Sequence, residues 1–329
     1  MMSKTTLLTT AKELKHKLFV QKVNWEKRRK AHAIRNSPEF AQRYAALEQT
    51  FTRTELPQGP FIWGITMVKN EADIIEQTIR HLLNQGVEQI LVADNGSTDG
   101  TYELLQELSK TLPVHVIQDR EVAYYQSEKM TWLADQVTEA GAEWIVPFDA
   151  DEFWYGVSAP LAEVLRSQKG RAIELTKLYN IFPNLDGTSF NIDSKPYWDL
   201  KVCFSAWKGA VITMGNHEVV TPGVQKLDEV AIIHYPWRSI EQFTRKMQQG
   251  AKALEATDLP EHMGYHWRQN ADITLESALP LWKALLEGKA ENYPIAWQAT
   301  GTLKPIGRNL PQSFDEVSHL LEKKTGTGL

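Results

Sequence analysis

Between Phe61 and Asp149 the sequence alternates short apolar runs with amphipathic stretches, and this alternation constrains the fold more than any other feature. The apolar runs are FIWGITMV, VEQILVAD, VHVIQD and EWIVPFD, and apolar residues recur at helical spacing between them. Strands that alternate with helices of this length form βαβ units, whose strands lie parallel. Continuous apolar strands also indicate a sheet covered on both faces. The sequence therefore predicts an α/β fold with a doubly wound sheet.

The segments on either side of this alternation have a different character. Residues 1–58 are rich in helix formers and charges and end at the proline- and glycine-containing LPQGP. After residue 170 the apolar runs become shorter, which predicts a mixed sheet, and helical spacing returns beyond Pro236. We therefore expect a helical extension at 1–58, a catalytic domain at 59–236 and a second helical extension at 237–329.

Composition excludes several classes of protein. The net charge of −5 and the pI near 6.0 argue against a nucleic acid as the main partner. The single cysteine, Cys203, allows no intramolecular disulfide, and no apolar run is long enough to span a bilayer, so we expect a cytoplasmic protein. A basic run near the N-terminus, KVNWEKRRKAHAIR, predicts either a solvated helix face or a peripheral contact with an anionic membrane surface.

Polar clusters follow three of the predicted strands. They are VKNEADII with Lys69 and Glu71, ADNGSTDGT with Asp94, and VPFDADEFWY with a group of carboxylates. The first two are also typical of ordinary helix starts and turns, with Asn70 predicted as the N-cap of the following helix. Because ligands of doubly wound sheets bind at the carboxyl ends of the strands, all three clusters are candidates for one binding site.

The third cluster brings Asp149, Asp151 and Glu152 together at the end of a buried strand. Like charges so close raise one another's pKa, so a positive partner is required. A Mg²⁺ or Mn²⁺ ion held by one or two carboxylates and a substrate diphosphate would supply it. The alternative is an acidic turn paired with nearby lysines or arginines. We favour the metal.

The string ITMVKNEADIIEQTIRHLLNQGVEQILVADNGSTDGT, followed some fifty residues later by VPFDADEFW, resembles the family 2 glycosyltransferases of the GT-A fold. The resemblance covers about residues 60–155. It implies a nucleotide-diphosphate sugar as donor and a divalent cation bound by the D-x-D motif. It also implies an inverting enzyme. We expect the acceptor to be a surface polysaccharide or other glycan, a lipid-linked glycan or a protein.

The resemblance also implies roles for individual residues. The nucleotide contacts would be Met67, Lys69, Glu71 and Asp94. Asp149 would lie on the ribose or phosphate side and share the cation with Asp151. Enzymes of this fold often add a later histidine to the metal, and His234 in AIIHYPWRS follows a predicted strand. A histidine satisfied by local hydrogen bonds is the alternative for His234.

An inverting transferase needs a general base for the acceptor hydroxyl, and MGNHEVVTPG offers two candidates. Glu218 is our first choice and His217 the second, since only one of two neighbouring strand residues can face the cleft. Asp186 is a further candidate. The sequence lacks the Glu-Asp pair with which the acceptor helix of this family commonly begins, so the base is not fixed by the resemblance.

Two other functions remain open at this stage. A sugar nucleotidyltransferase has a related fold but usually begins with a glycine-rich basic loop, which GITMVKNEAD is not. A non-catalytic sugar- or partner-binding module would not be expected to keep so many closely spaced carboxylates. The sequence favours a glycosyltransferase over both alternatives.

Overall fold

The protein, described here by a computed structural model, is defined for residues 4–185, 187–255, 257 and 264–322, with side chains from residue 19 onward except those of residues 265 and 266. The helices are α1 (Lys4–Arg35), α2 (Pro38–Thr50), α3 (Ile75–Asn84), α4 (Thr101–Ser109), α5 (Gln126–Glu139), α6 (Leu161–Arg166), α7 (Ile240–Glu255), α8 (Tyr265–Arg268), α9 (Leu275–Leu286) and α10 (Asp315–Ser318). The strands are β1 (Ile62–Val68), β2 (Gln89–Asp94), β3 (Val114–Gln118), β4 (Trp144–Pro147), β5 (Glu152–Gly156), β6 (Ala172–Pro183), β7 (Phe190–Asp193), β8 (Lys201–Ser205), β9 (Val211–Ile212), β10 (Val219–Val220), β11 (Val224–His234) and β12 (Leu303–Gly307).

Ten of these strands form one mixed sheet. Its central path runs β12-β7-β6-β8-β4-β1-β2-β3, and β11 pairs with both β5 and β6. The four strands β4, β1, β2 and β3 are parallel, whereas β8 pairs with β4 in the antiparallel direction. The first half of the chain therefore builds the parallel part of the sheet, and the shorter strands beyond residue 170 add the mixed part, as the sequence predicts.

Both faces of the parallel strands are covered. Along β1, Ile62 and Val68 pack in one hydrophobic cluster with residues of α3 and α4, whereas Trp63 and Ile65 pack in another with residues of α5. Strand residues that alternate between two apolar layers explain why these strands are apolar throughout. The expected α/β class with a doubly wound mixed sheet is confirmed.

The start of α3 differs from the prediction. The helix begins at Ile75, so Asn70 is not its N-cap. Asn70 instead has a left-handed backbone with φ of 58° and is 7% exposed, and its side-chain oxygen accepts a hydrogen bond from the backbone of Thr98 at 2.7 Å. Asparagine tolerates this conformation, and here it joins two loops at the strand ends. Gly86, two residues after the last residue of α3, has a φ of 87°, the left-handed conformation in which a glycine commonly ends a helix.

The segment after Pro236 packs mainly as helices α7 and α9, whose buried residues share a third apolar cluster with Phe182 of β6. Strand β12, near the C-terminus, pairs with β7 and so extends the sheet. The domain boundaries 1–58, 59–236 and 237–329 stay a prediction. Over the described residues, no helix has the length and apolar character needed to cross a membrane.

Candidate active site

A cleft of about 290 Å³ opens at the carboxyl ends of β1 and β4. Most of the residues that the sequence singled out line this cleft, namely Met67, Lys69, Glu71, Asp149, Asp151, His217 and His234. Its other polar lining residues include Lys201, Arg245 and Lys246. The fold therefore gathers side chains from positions 67 to 246 around the acidic cluster.

Lys201 neutralises two of the three carboxylates. This lysine is only 5% exposed, and its Nζ lies 2.6 Å from Asp149 Oδ2 and 2.8 Å from Glu152 Oε1. Burial raises the pKa of Glu152 to about 7, while Lys201 acts in the opposite direction. Burial alone would lower the pKa of Lys201, but Asp149 and Glu152 outweigh it and raise that pKa above its ordinary value. The cluster is an ion-paired triad as folded.

Asp151 is surrounded by different cationic groups. It is 2% exposed, and one of its carboxylate oxygens, Oδ2, lies 2.5 Å from Lys246 Nζ and 3.7 Å from Arg238 Nη1. Burial tends to raise the pKa of Asp151, but Lys246, then His234 and Arg238, hold it well below its usual range. Asp151 is therefore an anion whose charge is balanced from the α7 side of the cleft.

Arg238, two residues before α7, forms ion pairs with the loop that follows β1. Its guanidinium pairs with Glu71 through Nη2 and lies 2.7 Å from Asp73 through Nε, and its side chain is only 6% exposed. Arginine suits such a position because its planar group donates several hydrogen bonds in fixed directions. Glu71 consequently faces an arginine of the protein within the cleft.

The surroundings of His234 favour the neutral imidazole, because burial lowers its pKa. Its Nδ1 lies 2.8 Å from Asn180 Oδ1, an oxygen that only accepts, so Nδ1 carries the proton. Burial lowers the pKa of His234, although Asp151 acts against this. The remaining nitrogen, Nε2, is then a hydrogen-bond acceptor that lies 3.5 Å from Asp151 Oδ1. Two buried acceptors at this separation would both gain from a cation between them.

This pair meets one requirement of a divalent-cation site. A carboxylate and a neutral imidazole are suitable ligands, and substrate phosphates commonly complete the coordination of Mg²⁺ or Mn²⁺. Within the described part of the chain, no three His, Cys, Asp or Glu side chains converge as a ready-made metal cage. Asp149 forms an ion pair with Lys201 and does not join Asp151 and His234. The residues present therefore fit a cation with two protein ligands.

Asp94 lies in an adjoining cavity of about 330 Å³, which shares Lys69 and Asn95 with the cleft. The carboxylate of Asp94 is 3% exposed; its Oδ2 accepts a hydrogen bond from the backbone of Ser97 at 3.1 Å. Its Oδ1 is buried and finds no hydrogen-bond partner among the described residues. A buried carboxylate oxygen without a partner is costly, so it indicates a site for a ligand donor.

The loop after β2 is longer than a simple turn because its side chains hold the loop after β1. Ser97 Oγ accepts from the backbone of Asn70 at 2.9 Å, and Thr101 Oγ1 accepts from the backbone of Glu71 at 2.9 Å. Asp99 also accepts from the backbone of Ala72 at 3.2 Å. The string DNGSTDGT thus fixes both loops at the edge of the sheet between the two cavities.

The two candidates for the general base have different surroundings. His217 lines the cleft, with Nδ1 2.9 Å from the carbonyl oxygen of Leu200 and Nε2 3.7 Å from Asp199 Oδ2. Burial, followed by Lys201, lowers the pKa of His217. The side chain of Glu218 is 55% exposed and pairs with Lys30 of α1 at 3.3 Å, away from the residues that line the cleft. Asp186 lies outside the described residues.

Sequence reasoning did not single out the cations that neutralise the carboxylates. Lys201 lies 50 residues beyond the D-x-D motif, in a strand with no local motif. Arg238 and Lys246 both belong to HYPWRSIEQFTRK, the string that begins at His234 and continues into α7, but the sequence assigns neither of them a role. The repulsion within the acidic cluster was the one signal that cations had to be near.

Residues 65–169 match the family model described as glycosyl transferase family 2. This segment includes most of β1 and all of β2 to β5, so it carries Asp94 and the D-x-D motif. The predicted resemblance is confirmed over this segment, which is the glycosyltransferase domain of the chain. No curated protein matches the chain significantly.

Several solved structures are also similar to the chain. TarS 1–349 of S. aureus in complex with UDP is 13% identical over 70% of this chain and 80% of that chain, with a TM-score of 0.37. The mannosyltransferase PcManGT of Pyrobaculum calidifontis, in complex with GDP-Man and Mn²⁺, is 14% identical over 80% and 85%, with a TM-score of 0.34. GalNAc-T7 with UDP, GalNAc and Mn²⁺ is 13% identical over 78% and 66%, with a TM-score of 0.36.

Proposed function

We propose that this chain, whose residues 65–169 form a family 2 glycosyltransferase domain, transfers a sugar from a nucleotide-diphosphate donor to an acceptor hydroxyl. The observation that carries the proposal is the pair of joined cavities, with a partnerless carboxylate oxygen in one and a set of cations in the other. A nucleotide sugar has matching chemistry, because its base offers N–H donors and its diphosphate offers negative charge. The donor would lie across Lys69 and Asn95, which line both cavities.

The nucleobase would bind in the cavity that contains Asp94. Oδ1 of this residue can only accept, so it favours a base with an N–H group on its pairing edge. Uracil and thymine offer N3–H and guanine offers N1–H, whereas cytosine has an acceptor at that position. A cytosine could reach this oxygen only through its exocyclic amino group, in a shifted position, because its ring N3 would face Oδ1 as a second acceptor. We therefore expect a UDP, TDP or GDP sugar as donor.

The diphosphate would bind among Lys201, Arg245 and Lys246, which line the cleft. Fixed positive charges stabilise the negative charge that develops on the leaving diphosphate, and they do so most effectively in a site shielded from water. Asp151 and His234 would hold Mg²⁺ or Mn²⁺, which when bound supplies further stabilisation of the same charge. Lys246 would then exchange its contact with Asp151 for one with a phosphate oxygen.

The reaction that we propose is an in-line displacement. The acceptor oxygen attacks the anomeric carbon as the bond from that carbon to the diphosphate oxygen breaks, and this inverts the anomeric configuration. His217 is the base we propose, because its Nε2 bears the lone pair of a neutral ring and its side chain lines the cleft. This assignment replaces our first choice from the sequence, since Glu218 pairs with Lys30 on the surface.

Thermal unfolding with a panel of nucleotides tests the proposed function. We expect UDP, TDP or GDP, with Mn²⁺, to raise the unfolding temperature more than CDP does. A ligand at a hundredfold excess over its Kd adds about 2.7 kcal/mol of stability, which the measurement resolves. The variant Asp94→Asn should lose this preference for the base while keeping the fold, because the amide has the same shape and a donor where the carboxylate has none.

Two outcomes of the nucleotide panel would contradict the proposal. One is an equal shift with all four nucleotides in the unmodified protein, which would remove the role of Asp94. The other is no shift with any of them, which would remove the donor site itself. Asp272→Asn, an exposed substitution, serves as the control because it should leave every shift unchanged.

Substitution of the two candidate bases is expected to give opposite results. His217→Gln should lower sugar transfer by about a hundredfold or more, the usual contribution of a general base, while leaving nucleotide binding intact. Glu218→Gln should retain transfer within about twofold, because it removes only an exposed ion pair with little energetic weight. Rates of nucleoside diphosphate release with an acceptor present measure both. A large loss in Glu218→Gln alone would reverse our assignment.

The N-terminal helix supports a location at the cytoplasmic face of a membrane. Residues 1–35 hold 10 lysines and arginines against 2 glutamates, while the rest of the chain holds 26 basic against 39 acidic residues. On α1, Phe19 and Trp25 are 65% and 56% exposed. Exposed aromatic and basic side chains together favour an anionic lipid surface.

Co-sedimentation with vesicles tests this location. More of the protein should sediment with phosphatidylglycerol vesicles than with phosphatidylcholine vesicles, and the double variant Arg28→Glu with Arg29→Glu should abolish the difference. Equal sedimentation of the unmodified protein with both kinds of vesicle would refute a membrane role.

A further inference from the structure

One side of the cleft is aromatic. Tyr124, Trp267 and Trp297 line it, and we call these three side chains the aromatic wall. The ring centroids of Tyr124 and Trp267 are 5.6 Å apart, and those of Trp267 and Trp297 are 6.5 Å apart. The carboxylates and amines of the donor site also line the cleft. A ligand in this cleft therefore meets both a charged set of side chains and an aromatic one.

The aromatic wall lies close to the atoms that would react. The ring of Trp297 is 5.3 Å from Lys246 Nζ and 5.4 Å from the ring of His234. His217 and Met214 line the same cleft. A group seated on the aromatic wall would consequently adjoin the leaving diphosphate and lie within the same cavity as the proposed base.

Two features of the backbone hold the aromatic wall in place. Trp297 has a left-handed backbone with φ of 55°, which is unusual for a bulky side chain and is found mostly where surrounding structure enforces it. Gly250 lies inside α7, and a Cβ added there would come within 2.4 Å of Trp267 Cδ2. Glycine within a helix weakens it, so its presence here is explained by the close approach of the indole. Trp297 and Trp267 are therefore positioned by backbone features that are unfavourable by themselves: a left-handed conformation and a glycine within a helix.

Sugar rings match such a wall. The C–H groups on the face of a pyranose carry partial positive charge and are attracted to the negative face of an aromatic ring, while the hydroxyls at its edge remain free for polar partners. Small-molecule sites of this kind combine aromatic lining with a few convergent polar groups. The nucleobase has its own anchor at Asp94, in the other cavity, so it does not require the aromatic wall.

We propose that the aromatic wall binds a sugar ring of the acceptor, so that the acceptor of this enzyme is itself a carbohydrate. This inference rests on the proposed function, because it takes the charged side of the cleft as the donor site. Trp267 and Tyr124 would contact the acceptor ring, and Trp297 would contact it at the end next to Lys246. Of the three, only Tyr124 lies within residues 65–169, the segment that matches the family model.

Saturation-transfer NMR with simple disaccharides tests the inference. Maltose, cellobiose and N,N′-diacetylchitobiose are the probes, with and without UDP and Mn²⁺, and sorbitol is the control that has hydroxyls but no ring. We expect at least one disaccharide to receive saturation at its ring C–H protons. Trp267→Ala should weaken its binding about tenfold, the loss expected from one stacked aromatic, and Trp267→Phe should restore part of it.

Trp198→Ala is the matched control, because Trp198 is 75% exposed and does not line the cleft. It should leave disaccharide binding unchanged, and an equal loss in this variant would overturn the assignment. Disaccharide signals no stronger than those of sorbitol would also overturn it. A cooperative thermal unfolding transition, measured without nucleotide, shows that each variant is folded.

The two proposals fail separately. If UDP, TDP or GDP stabilises the protein and no disaccharide binds, the inference about the acceptor is wrong and the proposed function stands. If a disaccharide binds through Trp267 and no nucleotide stabilises the protein, the aromatic wall is a carbohydrate site but the chain lacks the proposed donor site.

Discussion

Asp151→Asn is expected to lower sugar transfer by about a thousandfold, at the upper end of what removal of one electrostatic partner of a transition state costs. Asp151 is the one carboxylate in the cleft that approaches Lys246, Arg238 and His234 together. The amide keeps the shape of the side chain but removes the charge that aligns these groups. It also removes the anionic ligand of the proposed cation.

Nucleoside diphosphate release with a donor sugar and Mn²⁺ measures this effect. Asp272→Asn is the matched control, since it makes the same chemical change at an exposed position. The variant Asp151→Asn should keep a cooperative unfolding transition, because its side chain retains two polar atoms in place. Transfer within tenfold of the unmodified enzyme, at unchanged Mn²⁺ dependence, would remove Asp151 from the site.

Lys201→Met is expected to destabilise the fold by about 3–5 kcal/mol, the usual cost of leaving a buried charge without its partner. The substitution fills a similar volume but leaves Asp149 and the fully buried Glu152 without their lysine. Adding Glu152→Gln to this variant should recover part of the loss, because the amide needs no counter-charge. Urea unfolding of the single and double variants measures both changes.

The effect of Lys201→Met should depend on pH. In the unmodified protein the folded pKa of Glu152 is already raised to about 7, mainly by burial, and loss of Lys201 raises this pKa further. A carboxyl with a raised folded pKa stabilises the fold fully below its unfolded pKa and loses that contribution as pH rises through the folded pKa. The variant should therefore be destabilised less at pH 5.5 than at pH 8.5. Equal destabilisation at both values would contradict the buried triad.

Much of the parallel half of the fold could be predicted because its information is local. The apolar runs before Asp94 and Asp149 become β2 and β4 because they are covered on both faces, and Gly86 ends α3 because it adopts a left-handed conformation. The positions of Asp94, Asp149 and Asp151 near one edge of the sheet follow from parallel pairing alone. These features need no knowledge of distant residues.

The remaining features depend on contacts between distant parts of the chain. Strand β5, which begins at Glu152, forms by pairing with β11 some 80 residues later. Its sequence, EFWYG, lacks the alternation of apolar and polar residues that predicts a strand. Lys201 and Lys246 reach the carboxylates only through the packing of β8 and α7. Glu218 had suitable chemistry, but the structure pairs it with Lys30 of α1, a contact that spans 188 residues.

The two cavities together form the donor site for sugar transfer that we propose. The most direct measurement is the release of nucleoside diphosphate from UDP-, TDP- and GDP-sugars, with Mn²⁺ and with or without a disaccharide acceptor, by the unmodified protein and by Asp151→Asn. We predict release by the unmodified protein from at least one donor, faster with the acceptor, and its loss in Asp151→Asn. Donor binding without release under any of these conditions would contradict catalysis and indicate a sugar-nucleotide-binding module instead.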